Sequence, residues 1–159
     1  MILAVLSGKG GTGKTTVAAS LARVVPDSQY VDCDVEEPNG HIFLKPVFDS
    51  RRSVTVPTPE VVEENCDGCR ICVGVCEFNA LIVLNERALV FPELCHGCGA
   101  CSIVCPEKAI SEGSRSVGEI FHARSGGMDI VWGELALGEA RTTPLIKAVK
   151  QRAQGDTVI

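Results

Sequence analysis

Two stretches of the chain, CDGCRICVGVC at residues 66–76 and CHGCGACSIVC at residues 95–105, repeat the spacing Cys-x2-Cys-x2-Cys-x3-Cys at an offset of 29 residues. The similarity continues past the cysteines, where Ala80-Leu81 corresponds to Ala109-Ile110. The stretches are therefore an internal duplication. Two-residue gaps allow three thiolates to converge from one loop onto three corners of a cubane, and the fourth must come from elsewhere. The spacing predicts two iron-sulfur clusters.

A disulfide framework and a zinc site are the alternatives for these cysteines. Disulfides are typical of secreted domains, but the apolar run Met1 to Leu6 has no basic residues before it and a glycine-rich loop after it, unlike a signal peptide. Zinc binds Cys-x2-Cys pairs in tetrahedral sets. Three thiols at two-residue gaps plus a fourth, present twice, fit cubanes better.

The duplicated stretch resembles the bacterial ferredoxin pattern, in which the fourth cysteine of each run binds the other cluster. One position departs from this pattern, since Pro106 follows Cys105 as expected but Glu77 follows Cys76. The resemblance implies one 4Fe-4S cluster held by Cys66, Cys69, Cys72 and Cys105, and a second held by Cys95, Cys98, Cys101 and Cys76.

A second motif lies near the N-terminus, where the short apolar run Ile2 to Leu6 predicts a buried strand and GKGGTGKT follows at residues 8–15. This sequence matches the phosphate-binding P-loop. A helix is predicted after it, through Val17, Leu21 and Val24 to Pro26, with its positive N-terminus at the phosphates. Lys14 would reach the outer phosphates, and the Thr15 hydroxyl would bind Mg²⁺. The predicted nucleotide-binding residues are Gly8, Lys9, Gly10, Gly11, Thr12, Gly13, Lys14, Thr15 and Thr16.

The loop contains an additional lysine, Lys9, and resembles the deviant P-loop (deviant Walker A) of the MinD/ParA-like ATPases, a group that includes the nitrogenase iron protein and Mrp-type ATPases. The resemblance implies binding of ATP or ADP with Mg²⁺. It also implies that Lys9 contacts the phosphates of a partner subunit while Lys14 contacts those of its own. Taken without the resemblance, Lys9 is equally consistent with a solvated loop cation.

The next apolar stretch, Tyr30 to Val35, carries Asp32 and Asp34, which would lie at the ligand edge of a doubly wound sheet. Asp34 could position the attacking water and Asp32 could hold Mg²⁺, although turn or capping roles are the alternative. The segment Asp32 to Asn39 is similar to MinD-like ATPases that carry an inserted ferredoxin domain. With Lys9 and Lys14, Asp34 completes the predicted catalytic set. Cys33 is expected to be a small buried residue.

The predicted fold is α/β, a partial P-loop parallel sheet with helices, interrupted by a ferredoxin-like α+β insertion. The boundaries are residues 1–60 for the first part of the ATPase domain, 61–113 for the insertion and 114–159 for the remainder. By resemblance, the remainder is truncated before the switch II segment, and the chain is expected to be a fragment.

Short strands at Val54 to Val56 and Ile120 to Phe121 would frame the insertion. Met128 to Leu137 predicts a further strand, and Asp156 to Ile159 predicts the start of another. Thr143-Pro144 would open a helix that ends at Gly155. Its apolar face would contain Leu145, Ile146 and Val149.

The composition is typical of a cytoplasmic protein: 159 residues, 45% hydrophobic and 22% charged. A net charge of −5 without a run of basic residues argues against nonspecific nucleic-acid binding, and no apolar run approaches the ~18 residues of a membrane span. Arg70 and His96, which lie between predicted cluster ligands, either tune a cluster or are solvated. His41 and His122 are not spaced as a metal site, and Trp132 is expected in the core.

Three functions remain open. The first, implied by the ATPase resemblance, is coupling of ATP binding and hydrolysis to low-potential electron transfer through the clusters. Its partners would be a second copy of the chain or a related ATPase, together with a redox protein as donor or acceptor. The second is an iron-sulfur scaffold or carrier ATPase, and the third is a ferredoxin-type electron store on an inactive P-loop scaffold.

Overall fold

The computed structural model describes all 159 residues, and the chain divides into two compact units. The first unit comprises residues 1–54 and 117–159, and the second comprises residues 55–116. The fold is mixed α/β, with a five-stranded sheet and a separate two-stranded sheet. The predicted insertion, residues 61–113, falls inside the range of the second unit.

The elements follow one another along the chain as short helices and strands of uneven length. The helices are α1 (Lys14–Val24), α2 (Gly40–Leu44), α3 (Ile71–Val75), α4 (Ala100–Val104) and α5 (Thr142–Lys150), with a 3-10 turn at Glu63–Asn65. The strands are β1 (Ser28–Asp32), β2 (Val47–Val61), β3 (Leu81–Leu84), β4 (Arg87–Val90), β5 (Ile110–Ser125), β6 (Met128–Leu135) and β7 (Thr157–Val158). The longest helix has 11 residues, and none has the length and apolar character needed to cross a membrane.

The large sheet has the strand order β2-β5-β6-β1-β7. Strand β1 runs parallel to β6 and to β7, whereas β5 is antiparallel to β6. The N-terminal residues lie beyond β7, where Ile2 forms a parallel bridge with Val158 and the Leu3 N–H donates to the Val158 carbonyl at 2.8 Å. Because parallel strands end at the same edge, the glycine-rich loop and the residues after β1 leave the sheet at its carboxyl edge.

Helices cover both faces of this sheet because side chains alternate along the strands. Tyr30 packs on the face covered by α1 and α2, and the adjacent Val31 packs on the face covered by α5. The first face buries Ala19, Ala22, Tyr30, Leu44, Ala123, Ile130, Trp132 and Ile159. The second buries Val35, Ile120, Val131, Leu145 and Val149. The prediction that Trp132 lies in the core is confirmed.

The prediction of a buried strand at Ile2 to Leu6 is wrong. Only Ile2 pairs with a neighbouring strand, and Leu6 is 86% exposed. Strand β7 is two residues long, so it offers pairing groups only to the first three residues. The residues that follow, up to Leu6, therefore have no strand residues with which to pair.

The predicted strand Tyr30 to Val35 begins and ends earlier, as β1 (Ser28–Asp32). It ends there because the Asp32 carboxylate accepts the N–H groups of Asp34 and Gly40, at 3.1 and 3.0 Å. This capture turns the chain away from the sheet.

Helix α1 forms where it was predicted, but a different face is buried. Val17 and Val24 are mostly exposed, while Ala19 and Ala22 are buried and Leu21 is half-buried. Short alanine side chains allow the helix to approach β1 closely, and the valines face outwards as a result.

The remaining predicted elements are found with altered bounds. The short strands at residues 54–56 and 120–121 fall within the longer strands β2 and β5, and residues 128–137 contain β6. The amphipathic helix is confirmed as α5, with Leu145 and Val149 fully buried. It ends at Lys150, five residues before the predicted Gly155.

Replacing Leu145 with alanine should lower the free energy of unfolding of the first unit by about 2–5 kcal/mol, because a fully buried side chain leaves a cavity. The readout is urea unfolding followed by the fluorescence of Trp132, the single tryptophan, which is buried in this unit. The matched control is Leu137→Ala, at a fully exposed position, where a change within about 0.5 kcal/mol is expected. Equal destabilisation by both substitutions would contradict this description of the core.

Candidate functional site

Two cavities in the second unit are each lined by four cysteines. The first cysteine cavity contains Cys66, Cys69, Cys72 and Cys105. The second cysteine cavity contains Cys76, Cys95, Cys98 and Cys101. Each cavity thus receives three thiols from one run and the fourth from the other run. The structure brings together the two sets that the resemblance to bacterial ferredoxins implies.

The loops that carry the first two cysteines of each run share a backbone conformation. Gly68 and Gly97 have φ of 71° and 68°, and α3 and α4 follow left-handed caps at Arg70 and Gly99, with φ of 66° and 75°. A Cβ at Gly68 would lie 2.8 Å from the Glu86 backbone, so a side chain there has no room. These turns place the third cysteine of each run within a short helix.

Backbone amides direct hydrogen bonds at the sulfur atoms. The first cavity has Ala88 N–H to Cys66 Sγ at 3.4 Å and Ala109 N–H to Cys105 Sγ at 3.3 Å. The second has Gly97 N–H to Cys95 Sγ at 3.3 Å and Ala80 N–H to Cys76 Sγ at 3.4 Å. Such donors favour a sulfur that carries negative charge. Ala80 and Ala109 occupy equivalent positions, so this feature repeats with the duplication.

The cysteines differ in exposure. Cys69 and Cys98 are exposed, while Cys72 and Cys101 are buried. Burial raises the pKa of the Cys72 and Cys101 thiols, because an apolar environment disfavours the thiolate. Coordination to a metal reverses this preference, since a metal-bound thiol loses its proton.

This arrangement fits an iron-sulfur cluster in each cavity. A cubane is held at its corners by thiolates that surround it, whereas zinc draws its sulfurs to about 2.3 Å from one atom. Here the four thiols of each set surround a cavity. The rest of the first cavity is largely apolar, with Val83, Ala88 and Ile110 among its lining residues.

The two charged or polar residues singled out between the cluster ligands lie at different cavities. Arg70 is exposed and lines the first. His96 lines the second, where its ring stacks on Phe78 with a centroid separation of 3.7 Å and an angle of 5°. His96 is also exposed, so the interpretation of a solvated loop residue stands, and its ring is in addition held by this aromatic contact.

The predicted phosphate loop precedes α1, which begins at Lys14 with Gly13 as its left-handed cap, at a φ of 85°. A Cβ at Gly8 or Gly10 would meet no atom within 4 Å. Packing within the protein therefore does not require glycine at these two positions. Glycine there leaves the backbone open to a ligand.

The side chains of the predicted phosphate loop and of the first turn of α1 differ in exposure. Lys14 and Thr15 are half-buried in its first turn, whereas Lys9 and Thr12 are exposed. The hydroxyl of Ser7 donates to the Lys9 carbonyl at 2.9 Å. The remaining predicted residues, Gly11 and Thr16, are exposed as well.

Asp32 and Asp34 occupy different environments. Asp32 is buried, and its Oδ2 atom accepts from the Tyr30 hydroxyl at 3.4 Å besides the Gly40 amide. Burial and the neighbouring Asp32 raise the pKa of Tyr30, so its hydroxyl stays protonated and donates. The turn-stabilising role left open for Asp32 is therefore present, and Asp34 is exposed. The adjacent Cys33 is half-buried, although it was expected to be buried.

Comparison with known proteins locates one family on this chain. The profile of the 4Fe-4S dicluster domain matches residues 65–110, which contain all eight cavity cysteines. Ferredoxin 7Fe of Hydrogenibacillus schlegelii is 36% identical over 52 residues, which are 31% of this chain and 67% of that ferredoxin. Through this segment the chain belongs to the 4Fe-4S dicluster ferredoxins. Residues 65–110 are thus an iron-sulfur electron-transfer domain.

Two uncharacterized proteins of Methanocaldococcus jannaschii match nearly the whole chain. One is 30% identical and covers 95% of it, and the other is 34% identical and covers 97%. The chain spans about half the length of these relatives, 55% in each case. The similarity therefore includes the first unit as well as the dicluster domain.

Prediction from the sequence missed the contact between Phe78 and His96 at the second cavity. Aligning the two repeats would have drawn attention to both positions, because Phe78 corresponds to Glu107 and His96 to Asp67. The amide donors to sulfur were missed too, because backbone orientation leaves no trace in residue type.

The grouping of cysteines predicts the outcome of paired substitutions. Cys69→Ala with Cys105→Ala removes two thiols from the first cavity only, so about four irons should remain after anaerobic reconstitution. Cys69→Ala with Cys76→Ala removes one thiol from each cavity, so both clusters should be weakened and well under four irons should remain. Iron and sulfide quantitation measures both. The reverse order of iron contents would show that each run holds its own cluster.

Proposed function

We propose that this protein couples ATP binding and hydrolysis to low-potential electron transfer through its two 4Fe-4S clusters. One observation carries the proposal: a sequence that resembles the deviant P-loop stands directly before α1, at the carboxyl edge of a sheet, in the same chain as a 4Fe-4S dicluster domain. That edge is where α/β sheets bind their ligands.

The start of α1 supports phosphate binding. The unpaired N–H groups of its first turn and its dipole favour an anion, and Lys14 adds a positive charge at that position. The open backbone at Gly8 and Gly10 leaves room for a phosphate group. The Thr15 hydroxyl, in the same turn, would bind Mg²⁺.

Asp34 and Asp32 would have different roles in hydrolysis. Asp34 is exposed after β1 and would position the attacking water. Asp32 accepts the Asp34 N–H at 3.1 Å and so fixes the backbone that carries Asp34. A carboxylate has about four acceptor positions, so Asp32 can hold a Mg²⁺ ligand in addition to its present partners.

Lys9 and the dicluster domain would connect this site to partners. Lys9 is exposed in the loop, in keeping with contact to the phosphates of a second copy or of a related ATPase. Its charge would favour dimerisation around bound nucleotide. A change of dimer geometry on hydrolysis would then gate electron transfer to a redox protein.

Substitution of Lys14 by alanine tests the nucleotide site. We expect wild-type protein to bind MgATP, and Lys14→Ala to weaken binding by at least about tenfold, the effect of losing one charge-assisted contact. The visible absorbance of the clusters should not change. Lys147→Ala, at an exposed position on α5, is the matched control, and calorimetry under anaerobic conditions is the measurement. Equal binding by all three proteins would contradict the phosphate site.

Coupling is tested by EPR-monitored redox titration of the reduced protein with and without MgATP. A nucleotide-dependent shift of the cluster signals or midpoint potentials supports the proposal. Binding without a shift would instead indicate an electron store on a P-loop scaffold. ATP-dependent transfer of iron and sulfide to an apo-protein would indicate a carrier.

A further inference from the structure

The duplication allows each residue at one cysteine cavity to be compared with its counterpart at the other, 29 residues away. Most positions that line both cavities keep the same or a similar residue. Besides the four cysteine pairs, these are Gly68 with Gly97, Ala80 with Ala109, and Leu81 with Ile110. The two cavities are thus built on one plan, and differences at equivalent positions stand out.

Four equivalent pairs break this plan. Arg70 and Val83 line the first cavity where Gly99 and Glu112 line the second.

The other two pairs exchange aromatic rings for carboxylates. Phe78 lines the second cavity where Glu107 lines the first, and His96 lines the second where Asp67 lines the first. Two aromatic rings at one cavity therefore correspond to two carboxylates at the other.

At the second cavity, the contact between the two rings connects the segment that carries Cys76 with the segment that carries Cys95. Phe78 follows Cys76 by two residues, and His96 lies directly after Cys95. Their rings stack in parallel, 3.7 Å apart. Phe78 is 39% exposed and both rings line the cavity, so the pair lies at the cavity's mouth. Of the four thiols at this cavity, Cys95 and Cys101 are buried, Cys76 is half-buried and Cys98 is exposed.

At the first cavity, no such link is present. Asp67 and Glu107 are exposed carboxylates, and like charges repel. Asp67 Oδ1 instead accepts the Cys69 N–H at 3.1 Å. Cys66, the counterpart of Cys95, is only half-buried.

We propose that the Phe78–His96 pair closes the second cysteine cavity against solutes, so that small reagents reach the cluster in the first cavity. The two clusters of this domain are then unequal in access although their ligand sets are equivalent. The inference rests on the dicluster assignment and is independent of the proposed ATP site.

Iron release to a chelator measures access cluster by cluster. Oxidised, anaerobic protein with about eight irons is mixed with excess EDTA, and the loss of cluster absorbance is followed. We expect two phases of equal amplitude, with the slow phase about two- to tenfold slower, the range that one stacked aromatic pair provides. The starting iron content tests the dicluster assignment separately. A single phase from protein with eight irons would overturn the proposal.

Substitutions assign the phases to the cavities. Phe78→Ala should accelerate the slow phase until it merges with the fast one. Its matched counterpart, Glu107→Ala, should leave the slow phase unchanged. Protein with Cys69→Ala and Cys105→Ala, which lacks the first cluster, should show the slow phase alone. A fast phase in that protein, or acceleration of the slow phase by Glu107→Ala, would overturn the proposal.

Substitution of Phe78 could accelerate cluster loss either by destabilising the second cluster or by giving EDTA better access to it. The dependence of the rate on EDTA concentration distinguishes the two. If the mouth has opened, the rate of the second cluster's loss rises in proportion to EDTA concentration. If the cluster has become unstable, the rate is independent of EDTA, and the proposal fails. Phe78→Leu keeps an apolar side chain of similar bulk but loses the stack, and it should show the same concentration dependence with intact initial iron content.

Discussion

The second unit depends on sulfur atoms that lie among buried apolar side chains. Its buried core consists of Cys72, Leu81, Ala88, Cys101 and Ile110, so two of the five central side chains are predicted cluster ligands. A unit of about 60 residues buries too little apolar surface to be more than marginally stable. Metal binding contributes folding free energy directly in such domains. Cluster assembly and folding of this unit are therefore expected to be one process.

The fourth cysteine of each run lines the cavity of the other run, and this connects the two halves of the unit. Cys76 leaves the first run to reach the second cavity, and Cys105 leaves the second run to reach the first. Each cavity thus takes thiols from both halves of the duplication, and α3 packs against α4. Neither run alone supplies all four thiols of one cavity.

Prediction from the sequence succeeded where the spacing of residues is compatible with only one local structure. It was less successful where the structure of a segment depends on pairing with a neighbouring strand. The cysteine runs and helix α5 belong to the first kind, since their residues repeat at intervals that match a loop or a helical turn. The segment Ile2 to Leu6 belongs to the second kind. Its composition is that of a buried strand, but strand formation needs a partner, and β7 offers two residues. Helix α1 was placed correctly, yet its buried face depends on how closely it approaches β1.

The amino-acid sequence by itself determined the two cysteine runs, their duplication and the glycine-rich loop before α1, because these are local patterns of residue type and spacing. Only the tertiary structure decided which thiols share a cavity, that Asp32 closes a turn through Gly40, and that His96 stacks on Phe78. These contacts join residues that are separate in the sequence. Their formation depends on the path of the backbone between them, which residue type and spacing do not encode.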